Sequence, residues 1–503
     1  MKFKFLKNAA ILTATGFLLR GLGMLFRIYI SSRIGEEGMG VYQLVTSAYF
    51  LFITLAQSGL STAVTRLCAK RFAHADRAGA EGVLKSGICC ALFTGFGSMT
   101  LMLLLSKVIS KMWIGDMRAV YALRVLAFSL PFIAVCGMFS AYFMADKNVV
   151  NGCTAQIIEQ LSRLAVAAAA LFFFAGKDMA ALLAAVVFAN TVSEGISCAY
   201  LALRYAFSPK PPILVRKSYK SQIIRGAVPV ALSRYLSSAL HTAENMLVPT
   251  AMAVYTGSRA DALADFGALK GMALPLLFFP FSLLGALSSL LLPEITEAAA
   301  KNQTERSKSI IKRTCHLTLV SSIMIAGVFF TFAQPLGMLI YKSRRVSYII
   351  KVLSLIVPFM YLDSICDGLL KGLGKQKQVL YNNMIDSGMR IVAILLLVTR
   401  FGLDGFLAVM VISNVTVSLL NLFLLLKTVG VKFDFLHWFL LPVFALLLSA
   451  IITKFLMPLC ATLPKTLLGC ALFCLIFALL TFVFNIKNKK YNKFEKKHFN
   501  LII

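Results

Sequence analysis

Two pairs of basic residues, each seven positions apart, stand inside otherwise apolar stretches: Arg20 with Arg27, and Arg234 with His241. Seven residues make two helical turns, so each pair climbs one face of a helix. An ionisable side chain at bilayer depth costs about 2.5–3.5 kcal/mol on insertion scales, so it faces a protein interior or a wet cavity. Helices carrying these pairs along a shared cavity would present two short cationic ladders. Guanidinium forks and point charges at that spacing suit an anion, a phosphate or pyrophosphate above all. The same arginines can instead snorkel to an interface or pair with a carboxylate of their own half. An interior histidine is as readily a satisfied packing residue as a ligand.

Carboxylates accompany them. Glu159 and Arg163, like Asp386 and Arg390, stand four apart with the acid first, the favourable orientation on a helix. Such pairs neutralise themselves and read as structural clasps. Glu194 and Glu244 have no evident partner nearby in sequence. A carboxylate in that setting can exchange a proton or bind a cation, which makes these two the candidates for ion coupling. Lys270 also falls within an apolar stretch, whereas Asp363 and Asp367 fall near a helix end and read as a solvated face.

Other chemistry is excluded by spacing. Gly368 to Gln376 resembles a nucleotide loop at first glance but lacks the required interval and the hydroxyl after Lys375. No H-E-x-x-H or G-x-S-x-G occurs, and His74, His241, His316, His437 and His498 are dispersed. The 11 cysteines contain no C-x-x-C and are scattered through apolar runs, as small buried hydrophobes are. No catalytic residue, metal site or cofactor is expected, and the chain does not read as an enzyme. With no nucleotide motif, any energy-requiring step would draw on an ion gradient, the membrane potential or a ligand's own gradient.

The elements that position these residues follow from composition. Of 503 residues 59% are hydrophobic and 14% charged, against roughly 45–50% and about 25% in soluble domains. The +30 net charge sits in short clusters between apolar runs, the mark of the positive-inside bias rather than of nucleic-acid binding. The ruler of roughly 20 apolar residues per span gives about 14 helices: 8–31, 41–65, 84–106, 119–144, 155–175, 179–203, 221–248, 266–292, 314–339, 349–370, 381–399, 405–426, 435–455 and 465–484. The first, holding Arg20 and Arg27 and lacking a cleavage pattern, is a retained span rather than a signal peptide. Lys and Arg in alternate connections favour one side by about 2.5 to 1, which places both termini in the cytoplasm.

An internal repeat orders the spans. A shift of 227 sets Gly40 on Gly267, Gly59 to Ser61 on Ala286 to Ser288, Ile158-Glu159 on Ile385-Asp386, and Arg163 on Arg390. A shift of 214 sets Arg20 on Arg234 and Arg27 on His241, the difference being a longer connection around Val254 to Asp265. Six spans return the chain to the same side, so the repeats are parallel, related by a pseudo-two-fold axis along the membrane normal. The expected organisation is an all-α polytopic membrane protein: a six-helix lobe (1–207), a second (208–430), two further transmembrane helices (431–485) and a basic cytoplasmic tail (486–503). Pro131 and Gly137 mark a bend in the fourth span, and Pro275, Pro280 and Gly285 in the eighth.

Several segments carry a resemblance. They are Arg27-Ile-Tyr-Ile-Ser-Ser-Arg-Ile-Gly-Glu-Glu-Gly-Met-Gly-Val-Tyr-Gln43, Gly59-Leu-Ser-Thr-Ala-Val64, Ile158-Glu-Gln-Leu-Ser-Arg163, Gly271-Met-Ala-Leu-Pro275 with Leu292-Pro-Glu-Ile295, and Asp367-Gly-Leu-Leu-Lys-Gly-Leu-Gly-Lys375. Together they resemble the multidrug/oligosaccharidyl-lipid/polysaccharide exporter superfamily, most nearly its stage V sporulation protein B and polysaccharide-biosynthesis branch. The resemblance spans essentially the whole chain. It implies an alternating-access flippase in the bacterial cytoplasmic membrane for an undecaprenyl-pyrophosphate-linked saccharide, lipid II or a related envelope or spore-cortex precursor. The implied partners are that cargo, membrane lipids and proteins of cell-wall synthesis. The family's cavity arginines match Arg20 and, with one residue more between them, Arg27; its last two helices line a groove for the lipid tail. A multidrug cation antiporter of the same superfamily would want acidic cavities, against which Arg20, Arg27 and Arg234 stand. A membrane glycosyltransferase would want catalytic carboxylates on a large external loop, which the chain lacks. A non-transporting partner of cell-wall synthesis is a third reading compatible with the sequence.

Overall fold

Glycine and proline mark several of the places where the apolar runs of this chain bend or turn. In the computed structural model the described residues are 2–57, 59–174, 176–208, 218–282, 284–285, 294–298, 301, 303–431, 433–457 and 462–486. The basic tail from Lys487, the linker cations Lys210, Arg216 and Lys217, and the matched segments Ala286 to Ser288 and Leu292-Pro293 lie outside them.

Regular structure among the described residues is helical throughout. Helix α1 (Lys2–Gln57) runs through the first expected span and most of the second, breaking at Gly35, whose φ of 68° and ψ of −173° suit a residue without a Cβ. Next come α2 (Leu60–Ala73), α3 (Arg77–Val108), a π-helical turn (Ile109–Ile114), α4 (Ala119–Ala127), α5 (Leu130–Ala145), α6 (Val149–Phe173), α7 (Met179–Ala206), α8 (Lys220–Thr256), α9 (Arg259–Phe266) and a second π-helical segment (Gly267–Ala273). The Asp76 carboxylate caps α3 by accepting from the Gly79 amide at 2.7 Å.

Among the described residues, eight helices are long and apolar enough to cross a membrane, or ten if each bent pair is one span. Those ten cover every expected span except the seventh and eighth. The seventh, α8, is helical over 37 residues but too polar for that test, with Arg225, Arg234, His241 and Glu244 along it. The fourth span is the pair α4 and α5, bent by 41°. Pro131 stands just past the bend, where the Ser129 hydroxyl donates to the Leu126 carbonyl at 2.6 Å and meets the Tyr49 hydroxyl. Polar groups freed by the break are thereby satisfied without water. The tenth span repeats this design in the helices Arg344–Ser354 and Val357–Gly372, bent by 60°, with Pro358 just past the bend.

The chain divides into two compact units, residues 1–271 and 272–503. In the first, α6 packs along α7, α3 along α5, and α1 along α6, α8 and α9. Gly40 and Gly267 meet there backbone to backbone: a Cβ on Gly267 would lie 2.0 Å from the Glu36 carbonyl oxygen and 2.4 Å from the Gly40 nitrogen. The second unit contains a core of Ile311, Cys315, Leu362, Ile365, Cys366 and Leu425 closed by the buried Trp438. Large apolar side chains elsewhere stand outward, Phe93 at 83% exposure and Phe455 at 85%, the expected surface of a chain solvated by lipid tails.

The backbone itself recurs at the offset found in the sequence. Left-handed residues occur at Gly115 and Lys342 and again at Lys147 and Gly374, both pairs at that offset, and at Gly176 and Gly402, one position short of it. Pro131 and Pro358 are related by the same shift.

Candidate functional site

The two cationic pairs lie on α1 and α8. Arg20 and Arg234 are exposed, Arg27 is half-buried, and the His241 side chain is 68% exposed. A polar stripe fixes α8 against the later part of α1. Thr54 donates to the Ser238 hydroxyl at 3.3 Å, Thr242 to the Ser47 carbonyl at 3.3 Å, and the Asn245 amide to the Ser47 hydroxyl at 3.1 Å. Ser238, Thr242 and Asn245 follow i, i+4, i+7 spacing, so one face of α8 docks and Arg234 and His241 flank it. Among the described residues, Arg20, Arg27 and Arg234 meet no carboxylate within ion-pair distance. Guanidiniums left without a counter-ion on these two helices are poised for an anion from outside the chain.

The acidic residues are differently placed. An Arg163 terminal nitrogen lies 2.5 Å from Glu159 on the same helix and 3.5 Å from Glu194 on α7. Glu194, without an evident partner in the sequence, thus shares a single guanidinium with a second carboxylate. That guanidinium belongs to a neighbouring helix well before it in the chain, where no local pattern reveals it. Glu244 is buried, with the Lys270 ammonium at 3.9 Å and the His241 ring at 4.0 Å.

In the second unit, Asp386 and Arg390 approach to 3.6 Å with the Ser413 hydroxyl between them, accepting from Arg390 at 2.7 Å and donating to Asp386 at 2.5 Å. Asp363, expected on a solvated face, is half-buried. It accepts from the Asn421 amide at 2.8 Å, and Asn421 in turn accepts from Asn382 at 2.7 Å. Asn421 is fully buried, so helix packing creates a polar chain that the helix-end position of Asp363 does not suggest. Outside the spans, Asp116 chiefly, with Glu37, holds the Arg118 guanidinium above its usual pKa, although burial acts the other way.

A cavity of about 680 Å³ opens inside the first unit, with Glu159 and Glu194 in its lining. Helix α2 contributes Ser61, Thr62, Thr65 and Arg66, successive turns of one face, and α1 contributes Gln57. Sequence reasoning passed over these residues, because hydroxyls in a span are ordinarily spent on the preceding turn. Thr65 does donate to the Ser61 carbonyl at 2.8 Å, which leaves its oxygen able to accept.

Residues 5–293, more than half of the chain, match the family described as polysaccharide biosynthesis protein. The chain belongs to the polysaccharide biosynthesis protein family. Residues 235–399 of this family member also match the MatE family. Stage V sporulation protein B of Bacillus subtilis (strain 168) is 26% identical to it over 437 residues, covering 84% of this chain and 83% of that one. The lipid II flippase MurJ of the same organism is 21% identical over 454 residues, covering 85% and 83%. An inward-facing multidrug resistance MATE family transporter of the MOP superfamily superposes with a TM-score of 0.67 at 15% identity, covering 84% of this chain and 98% of that one. The chain is therefore a multi-pass helical membrane protein with the exporter-superfamily fold, in the branch that contains stage V sporulation protein B and the lipid II flippase.

Proposed function

We propose that the protein is an alternating-access flippase that moves an undecaprenyl-pyrophosphate-linked saccharide, lipid II or a related envelope precursor, across the bacterial cytoplasmic membrane. The observation that carries this reading is the set of three arginines without a counter-ion among the described residues, Arg20, Arg27 and Arg234, on helices of a polysaccharide-family exporter fold. They would hold the pyrophosphate, with His241 beside them. The names of two relatives, stage V sporulation protein B and a lipid II flippase, support the class of cargo. Glu194 and Glu244, each held against a cation, are the groups that would exchange an ion or proton during the cycle. Two parallel lobes (1–207 and 208–430) with both termini cytoplasmic complete the proposal, supported by the left-handed and proline positions that recur at the repeat offset.

The deciding experiment is flipping of labelled lipid II by the purified protein in liposomes, wild type beside Arg20→Ala/Arg234→Ala. Flipping by the wild type, lost in the double variant, is the expected result. Absence of lipid II flipping by correctly inserted protein would remove that cargo. Flipping that survives both changes would remove the arginine site. A cation antiporter is the competing reading, and one observation favours it: two carboxylates line the cavity of the first unit. Efflux of a lipophilic cation, with no flipping of lipid II, would decide for it.

A further inference from the structure

The cavity of the first unit has a lining that an anion would not choose. Two carboxylates of the lining, Glu159 and Glu194, share the guanidinium of Arg163 behind them, and the described lining holds one cation of its own, Arg66 on α2. Pyrophosphate entering there would find Arg66 alone to meet it and would face two carboxylates, since Arg163 is already engaged by Glu159 at 2.5 Å. A flat lipophilic cation is little better served, because no aromatic ring is among the described lining residues. A lone proton or metal ion needs room for about one water-sized sphere, a small part of 680 Å³. The volume falls instead within the roughly 300–1,000 Å³ of small-molecule sites.

What the walls offer is hydrogen bonding at many points. Hydroxyls come from Ser61, Thr62 and Thr65 on α2, with Ser140 and Ser197 on other helices, and amides from Gln57 and Gln156. Carboxylate and amide acceptors beside hydroxyls that donate or accept are the complement of a ring bearing several hydroxyl and acetamido groups. We infer that this cavity is a second cargo subsite, which binds the sugar of the lipid-linked saccharide while the arginines of α1 and α8 hold its pyrophosphate. The inference rests on the flippase reading and adds a division of labour to it: neutral hydroxylated ligand in the first unit's cavity, anion at the arginines.

Gly137 supplies a clean handle. A Cβ there would lie 1.9 Å from the Gln57 amide nitrogen, the movable end of a flexible side chain. Gly137→Ala therefore displaces that amide without disturbing backbone. Ser140→Leu fills the same cavity independently. The experiment measures binding of two soluble probes, N,N′-diacetylchitobiose and inorganic pyrophosphate, to the full chain in nanodiscs. Diacetylchitobiose should bind the wild type and bind about ten-fold more weakly to each cavity variant, as befits one or two lost hydrogen bonds. Pyrophosphate affinity should be unchanged in those variants and lost in Arg20→Ala/Arg234→Ala, which should still bind diacetylchitobiose. Absence of diacetylchitobiose binding, or binding indifferent to both cavity variants while pyrophosphate still binds, overturns the sugar subsite and leaves the flippase reading standing. Sugar binding as expected, with pyrophosphate unbound or indifferent to the arginines, removes the arginine site and leaves the subsite. Displacement of diacetylchitobiose by tetraphenylphosphonium overturns the assignment in favour of a drug-cation pocket.

Discussion

Replacing Gly267 by alanine tests the packing of the first unit most directly. The added Cβ would stand 2.0 Å from the Glu36 carbonyl oxygen and 2.4 Å from the Gly40 nitrogen, against about 3.5 Å for an ordinary contact. Both obstacles are backbone, so no rotamer relieves them and the two segments must separate by about 1.5 Å. Overpacking of that kind costs about 1–3 kcal/mol, and each kcal/mol moves a thermal midpoint by about 2–4 °C in a unit of roughly this size. Gly388→Ala is the matched control: it is helical, and a Cβ there meets nothing within 4 Å. It should gain about 0.5–1 kcal/mol from the better helix former. The assay is thermal unfolding of the purified protein in one detergent, followed by size-exclusion monodispersity, with both variants beside wild type. Gly267→Ala should fall and Gly388→Ala should hold or rise. A Gly267→Ala midpoint equal to wild type would refute the reasoning, because backbone in contact cannot absorb a methyl group at no cost.

The charged clusters and the left-handed positions give further tests. Arg163→Met should destabilise by about 3–5 kcal/mol, because it leaves Glu159 and Glu194 together without a cation; adding Glu194→Gln should restore much of the loss in the same unfolding assay. Ser413→Ala should cost about 1–3 kcal/mol by removing the hydroxyl that bridges Asp386 and Arg390. Lys342→Gly should raise the midpoint by the equivalent of about 0.5–1 kcal/mol, since Lys342 holds a φ of 54° that glycine accepts freely. Gly115→Ala, at the equivalent position of the first repeat with a φ of 68°, should lower it by a similar amount.

The expected spans other than the seventh and eighth, the offset at which turns recur and the charge spacing were legible because each is a periodic property of the chain. Pro131 and Pro358 already stood at the repeat offset in the sequence, and the bends they accompany differ only in angle, 41° against 60°. The i,i+4 pairs were equally readable, since helix geometry alone brings Glu159 to Arg163. What could not be read was pairing across helices. Glu194 meets Arg163 through the packing of α7 on α6, and Glu244 meets Lys270 through that of α8 beside the π-helical segment. Gly40 and Gly267 were matched as repeat positions, but their contact depends on how closely α1 approaches the segment after α9. The polar cavity stayed hidden for a related reason: Gln57, Thr62 and Gln156 converge only once several helices are assembled around it.

The polarity of α8 bears on how the protein is made. On insertion scales each arginine near a helix centre carries a penalty of about 2.5–3.5 kcal/mol, and α8 holds Arg234 and Glu244 well inside its 37 residues. A segment of that kind does not partition into lipid on its own merits as it leaves the translocon. Its route in lies through the helices synthesised before it, where Ser47 and Thr54 of α1 already offer hydrogen-bond partners to Thr242, Asn245 and Ser238. Insertion of α8 is thus conditional on α1 being membrane-resident, and lesions in α1 should appear as topology errors at residues 220–256 before they appear as lost activity.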